Sequence, residues 1–204
     1  MADRDPSGGA SRHRGHVQLP PGQHLVEQAP VMHYGRVPRE RPGPWWLTFD
    51  GLVAQEPVTP VALTELVDLQ QHTVVADMHC GSGWSAAGRH WRGWRTRDVV
   101  DRYPPGDGVT HALVFGEYGY SATVRIEDLL SPRSLLAVAV DGEALTPETG
   151  HPVRLVVPHL YSWKGPKWFR GWTYQSEPVR GFWEQRGYHV HGDPWRQERY
   201  AHLE

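Results

Sequence analysis

Apolar residues in this chain recur mostly in short β-branched or alternating runs bounded by Gly and Pro, the pattern of strands rather than of long amphipathic helices. Thr73-Val74-Val75 predicts a buried strand, after which Gly81 and Gly83 release the backbone into a turn that leaves Cys80 at the strand end. Trp45 to Val53 predicts another strand, broken by the Asp50-Gly51 turn signal. Further strands are expected at 112–115, 122–126, 135–140 and 153–157. Helical signals are fewer. Thr59-Pro60 ahead of Ala62, Leu63, Leu66, Val67 and Leu69 offers a cap, a proline suited to the first helical position and an apolar face. A short helix over 96–102 and a helical turn over 127–130 complete the set, and Arg89-His90-Trp91-Arg92-Gly93-Trp94-Arg95 reads as a turn dense in cations and indoles. Strands mixed with short helices, without a regular βαβ alternation, predict an α+β domain with mixed β-sheets.

The ends of the chain differ in character. Met1 to His16 is polar with no apolar period, so residues 1–18 are expected to form a disordered tail ahead of one domain over 19–204. Pro30 to Pro38 carries prolines at both ends and reads as an extended loop around His33 and Tyr34. The stretch from Gly181 to Arg196 is too rich in aromatics for a free end and is expected to wrap back on the domain.

Charge and composition remove several function classes. With 21 Lys and Arg against 23 Asp and Glu, bulk electrostatics make no case for nucleic acid or an anionic membrane as partner. No apolar run approaches the ~20 residues of a membrane-spanning helix. A single cysteine forms no internal disulfide, which points to a reducing, cytoplasmic compartment. The 13 His invite zinc, yet His189-x-His191 and His79-Cys80 lack the tight ligand spacings of a structural site.

Three stretches carry candidate chemistry. Taken alone, Cys80 reads as a small buried hydrophobe, a metal ligand or a nucleophile served by a distant His, with His79 pointing to the opposite face of its strand. Lys164-Gly165-Pro166-Lys167 follows the strand that carries Arg154 and reads either as a phosphate cradle or as a solvated loop. One bulky anionic cofactor bearing a metal would employ both, with the His33-Tyr34 loop meeting a ring system.

The chain resembles the molybdopterin-binding domain of the sulfite oxidase family, specifically its small cytoplasmic bacterial subgroup. The resemblance runs from about Leu19 to Tyr200 and rests on motifs in a fixed order. These are Leu19-Pro20-Pro21-Gly22-Gln23-His24, His33-Tyr34-Gly35, His79-Cys80 with Trp84-Ser85, Thr146-Pro147-Glu148, the Pro152 to Pro158 run, Lys167-Trp168, and Gly181-Phe182-Trp183-Glu184 with Gly187-Tyr188-His189. It implies the sulfite oxidase-type fold and a molybdenum-molybdopterin cofactor with Cys80 as the protein thiolate on the metal. It further implies that Arg154, Lys164, Gly165, Pro166 and Lys167 hold the phosphate. His33, Tyr34, His79 and Thr149 lie near the cofactor, and Tyr120 faces the exchangeable oxygen. The activity implied is two-electron oxygen-atom transfer on a small molecule, with electrons passing through a separate partner because this chain has no haem segment.

Departures from the family pattern define what is particular here. Gly83-Trp84-Ser85 stands where sulfite-oxidising relatives carry arginines that hold the substrate dianion, so a substrate other than sulfite is expected. Thr149 replaces an Asn or His, and Arg125 a proline. These leave open a second reading, in which the fold and cofactor are kept as a scaffold without turnover.

Overall fold

The computed structural model describes residues 17–38, 42–55 and 60–204. Most of the expected tail (1–16) and Thr59, the expected helix cap, lie outside the described residues. Eleven strands are present among the described residues: β1 (His24–Leu25), β2 (Trp46–Gly51), β3 (Val61–Ala62), β4 (Gln71–His79), β5 (Trp84–Arg95), β6 (His111–Gly116), β7 (Ser121–Arg125), β8 (Leu135–Val140), β9 (Glu143–Ala144), β10 (Arg154–Val156) and β11 (Phe169–Gln175). The α-helices are α1 (Thr96–Arg102) and α2 (Ile126–Leu129).

The strands form two sheets. In the first, β1-β5-β8-β10 are neighbours in that order, with β4 also on β5 and β9 on β8. The second runs β3-β2-β11-β6-β7. All pairings are antiparallel except β1 with β5 and β2 with β11. One core joins the sheets, with Phe49, Val114 and Trp172 from the second meeting Trp94, Leu136 and Leu155 from the first and Val99 of α1. A smaller cluster, including Ala76, Trp91, Ala137 and Val156, covers the other face of the first sheet. The two-residue alternation of a strand explains β10. Leu155 enters the main core, while Arg154 and Val156 turn to the opposite face, beside Trp91.

The α+β class and mixed sheets are as expected, and α1 and β8 have the expected bounds. Four local expectations are corrected. Residues 61–69 are not a helix: Val61–Ala62 pairs with Trp46–Leu47, and Leu63–Leu66 is one 3-10 turn held by the Ala62 N–H to Glu65 Oε1 at 2.9 Å. Leu66 is buried but Val67 is 75% exposed, so the apolar positions do not share a helical face. Arg89 to Arg95 is the second half of β5, with Trp91 and Trp94 inward and His90 and Arg92 toward solvent. The strand around Thr73-Val75 is an edge, paired only with β5, and Val75 is 53% exposed. Finally, β11, which received no assignment from sequence, is the middle strand of the second sheet. In the tail Tyr188 bridges Tyr200, the Phe182 N–H donates to Ser121 O at 2.8 Å, and Gly192 O accepts the Tyr161 N–H at 2.8 Å.

Candidate active site

A cavity of about 470 Å³ opens where β4, β5 and β10 meet the β6–β7 and β10–β11 connections, the 28–34 segment and the C-terminal wrap. Cys80 stands on one wall. The β4 ladder ends at His79, and the chain reverses through Cys80–Gly83, with the Gly83 N–H donating to Cys80 O at 3.0 Å and the Cys80 N–H to Trp84 O at 2.8 Å. Gly81 lies close under two rings: a Cβ there would be 3.0 Å from the Trp163 ring and 3.3 Å from that of Tyr188, so a side chain would require those rings to give by a few tenths of an ångström. Cys80 is half-buried, and its Sγ is 2.9 Å from Ser82 Oγ.

His79, one residue earlier on the strand, faces away from the cavity. It is buried, with Nδ1 2.8 Å from Ser85 Oγ, and burial holds its pKa down. Ser85 Oγ donates in turn to Gln23 Oε1 at 3.1 Å, and Gln23 Nε2 donates to Cys80 O at 3.1 Å. The Leu19 to His24 motif is thereby a clamp on the Cys80 turn. The motif itself is legible in the sequence; the role of Gln23 is not.

Another part of the lining is cationic, with Arg154 and Lys167. Pro147–Thr149 forms a 3-10 turn fixed by Thr146 and Thr149, with the Thr146 N–H donating to Thr149 Oγ1 at 2.7 Å. Its carbonyls orient three side chains: Pro147 O accepts from Trp168 Nε1 at 2.7 Å, Glu148 O from Lys167 Nζ at 2.6 Å and Thr149 O from Arg154 Nη1 at 3.2 Å. Thr149 therefore serves this wall through its backbone, while its hydroxyl caps the turn. Neither Arg154 nor Lys167 has a carboxylate ion-pair partner among the described residues, and Arg154 Nε is buried without any partner. Burial lowers the Arg154 pKa to about 10, and burial followed by repulsion from Arg154 lowers that of Lys167 to about 7.

Two uncompensated cations in one recess are an unfavourable arrangement that a phosphate would relieve. With a thiol in the same cavity, suited to a metal already bound by sulfur, the residues present fit molybdopterin. Arg154 and Lys167 would hold its phosphate and Cys80 its metal.

A pH dependence follows from Lys167. Its folded pKa lies below the value of a free lysine, so the protonated form opposes folding. The cofactor-free protein should gain stability as pH rises from about 7 toward about 10. An anion favours the protonated form, so phosphate-anchored cofactor should bind more weakly across the same window. Thermal melts and cofactor retention from about pH 6.5 to about pH 9 check both signs, and parallel trends would exclude Lys167 as the titrating group. Arg154→Ala removes the fork altogether and should cut pterin loading about 30-fold or more, read as pterin per chain. Unchanged loading would remove Arg154 from the anion site.

Other expected site residues divide clearly. Gly165 lines the cavity, and its lack of a side chain lets the loop reach β10, since a Cβ would lie 2.3 Å from Leu155 O. Pro166 does not line the cavity; its carbonyl accepts the Leu155 N–H at 3.0 Å. Lys164 is a correction. Its ammonium is buried on the far side of the loop, 2.6 Å from Glu184 Oε1 and bonded to Val190 O, because the following Gly-Pro bend sends Lys164 and Lys167 in different directions. Tyr120 lines the cavity, but its hydroxyl donates to Trp163 O at 2.6 Å, and burial raises its pKa. His33 and Tyr34 stand at the mouth, against Trp168 and Phe182 at ring separations of 6.0 and 4.4 Å.

A thiol and an anion cradle lining one cavity, on the face of the first mixed sheet that turns away from the common core, define the class. Residues 34–183 match the family described as the oxidoreductase molybdopterin-binding domain, and the chain belongs to that family. Over 185 residues it is 37% identical to the uncharacterized oxidoreductase YuiH of Bacillus subtilis (strain 168), covering 90% of this chain and 92% of that protein. It is 27% identical over 143 residues to the protein-methionine-sulfoxide reductase catalytic subunit MsrP of Burkholderia mallei (strain ATCC 23344), covering 62% of this chain and 42% of the relative. Among solved structures, the sulfane dehydrogenase SoxCD of Paracoccus pantotrophus shares the fold, with a TM-score of 0.58 and 20% identity over 65% of this chain and 38% of that one. The chain thus spans less than half of the latter two. These similarities meet the family and fold expected from the motifs.

Proposed function

We propose that the chain is a mononuclear molybdenum oxidoreductase that transfers an oxygen atom to or from a small neutral substrate other than sulfite, with a sulfoxide and its thioether as the pair that fits best. The observation that carries this reading is the pairing of Cys80 with the uncompensated Arg154 and Lys167 across one cavity. When bound, molybdopterin supplies two-electron redox chemistry and oxygen exchange at molybdenum. Each turnover balances: a sulfoxide takes up two electrons and two protons, its sulfur–oxygen bond breaks, and one thioether and one water leave. The electrons are carried by a separate small electron-transfer protein in the cytoplasm.

This chain's own residues bind and shape. Arg154 and Lys167 anchor the phosphate, Gln23 steadies the Cys80 turn, and Trp163, Trp183 and Tyr188 give the cavity an aromatic wall. The other cavity arginine supports a neutral substrate, because Arg89 is already paired with Asp141 at 2.6 Å. The name of the relative MsrP, a methionine-sulfoxide reductase, agrees with this substrate class.

The test is metal and pterin analysis of protein made in a host competent for molybdopterin synthesis, followed by reduction of methyl phenyl sulfoxide with reduced methyl viologen. Molybdenum, pterin and turnover together support the proposal. Cofactor without turnover on sulfoxides or N-oxides selects the scaffold reading favoured by Thr149, and protein free of both metal and pterin overturns the proposal.

A further inference from the structure

The Cys80 turn has two approaches. On the cavity side the exposed Val31, Met32 and Tyr34 surround the mouth, and a cavity of about 470 Å³ admits a small molecule and not a folded protein. The other approach is the face of the first sheet onto which His79 turns. His79, Ser85 and Leu25 are partners in register across β4, β5 and β1, so their side chains share that face. Trp195 covers His79, meeting it edge-on at a ring separation of 6.3 Å, and is itself 44% exposed. Leu25 is 50% exposed. A solitary exposed hydrophobe carries no meaning. Here one indole touches both solvent and the residue that precedes Cys80 in the chain.

A built turn holds Trp195 outward. The Asp193 carboxylate accepts the Trp195 N–H at 2.8 Å and the Arg196 N–H at 3.4 Å, and the Glu198 N–H returns to Asp193 O at 3.0 Å. Gln197 takes a φ of 57°, the left-handed region that residues with side chains seldom adopt. The rim is cationic. The Arg196 side chain is 71% exposed, with its Nε 3.5 Å from Glu198 Oε1, and Arg199 Nη2 lies 4.0 Å from the Cβ position on Gly83, behind the Cys80 turn. The neighbouring carboxylates are engaged: Asp77 accepts the Gly88 N–H at 2.7 Å, Asp193 serves the turn, and Glu198 is 2.6 Å from His191 Nδ1.

We propose that Trp195 and Leu25, rimmed by Arg196 and Arg199, are the docking surface for an acidic one-electron carrier protein, whose electrons enter through Trp195 and His79 toward Cys80. Two reduced carriers dock in turn, and each leaves oxidised by one electron. Those two electrons, with two protons from solvent, convert one sulfoxide to a thioether and water. Substrate and carrier use opposite faces, so neither blocks the other. The apolar centre supplies contact area, and the guanidinium rim speeds encounter with a partner of opposite charge. The inference rests on the oxygen-atom-transfer reading of the site.

The experiment drives holoenzyme either with reduced plant-type two-iron ferredoxin, an acidic one-electron donor, or with reduced methyl viologen, using methyl phenyl sulfoxide as acceptor. Binding of oxidised ferredoxin by biolayer interferometry, molybdenum content and thermal midpoint are measured on the same samples. Trp195→Ala should weaken ferredoxin binding and slow ferredoxin-driven turnover about 10-fold or more. Arg196→Ala should do so about 3- to 10-fold and flatten the dependence on salt. Viologen-driven turnover, molybdenum and midpoint should stay unchanged in both. Wild-type holoenzyme that runs on viologen yet neither binds ferredoxin nor accepts its electrons overturns the docking surface, as do variants that keep the ferredoxin-driven rate or lose the viologen-driven rate equally. Binding to phosphatidylglycerol vesicles that Trp195→Ala abolishes, without binding of ferredoxin, would give this surface to a membrane instead. Molybdenum-loaded enzyme inactive with both donors overturns the oxygen-transfer reading itself, a failure distinct from that of the docking surface.

Discussion

Cys80→Ser should leave the fold intact and lower oxygen-atom-transfer turnover by about 10³-fold or more. The physical reason is the softness and acidity of sulfur. A thiol ionises readily beside a metal, whereas a serine hydroxyl is a hard donor that stays protonated near neutral pH. Cys80 is half-buried, and its side-chain contact is the partly exposed Ser82 Oγ, so the exchange should change stability by no more than about 0.5 kcal/mol. Because Cys80 is the only cysteine in the chain, the variant is also free of thiols, and labelling with a thiol reagent verifies it directly. Turnover with reduced viologen, molybdenum content and a thermal melt on one preparation are the measurements. Activity retained near the wild-type level would exclude Cys80 as the metal ligand and return it to the role of an ordinary small side chain.

The second large effect concerns stability. Lys164→Met should destabilise the fold by about 3–5 kcal/mol, because it strands the Glu184 carboxylate in a buried place. Lys164 and Glu184 are both buried, 2.6 Å apart, and Glu184 Oε1 also accepts the Thr123 N–H at 3.0 Å. Burial lowers the Lys164 pKa, and the neighbouring Glu184 carboxylate opposes that shift. For a domain of this size the loss corresponds to a drop in thermal midpoint of about 10 °C. The double variant Lys164→Met/Glu184→Leu should recover much of it, since well-packed apolar side chains often replace a buried ion pair without loss. Pterin content decides what kind of residue Lys164 is. If Lys164→Met at low temperature loads cofactor normally, the lysine ties the C-terminal wrap to the β10–β11 connection; if loading collapses while the midpoint holds, the phosphate role returns.

Local signals and tertiary decisions separate cleanly in this molecule. Strand β8 and the turn after β4 are legible because an apolar run or a pair of glycines acts within a few residues. The stretch after Pro60 carries an equally clear helical pattern and is not a helix. The edge of β2 offers backbone partners to Val61 and Ala62, and pairing there outweighs local propensity. In β5 the inward Trp91 and Trp94 and their solvent-facing neighbours are written in the residues. Glycine and clustered arginines conceal the strand, which exists because β4 and β8 flank it on both sides. β11 is central for the same reason: its neighbours, β2 and β6, come from distant parts of the chain.

By itself the sequence determined the α+β class, the family, Cys80 at a strand end and the cation Arg154 on the strand before the Lys164 to Lys167 loop. Order of motifs and residue type are one-dimensional properties, so they survive without coordinates. Only the tertiary structure decided which of two lysines faces the cavity, that Thr149 acts through its carbonyl, that Gln23 clamps the Cys80 turn, and that the Tyr120 hydroxyl is already committed to Trp163 O. Each of those depends on the direction of a side chain and on whether another group already satisfies it. Direction and satisfaction are settled by partners tens of residues away, which residue type and spacing do not encode.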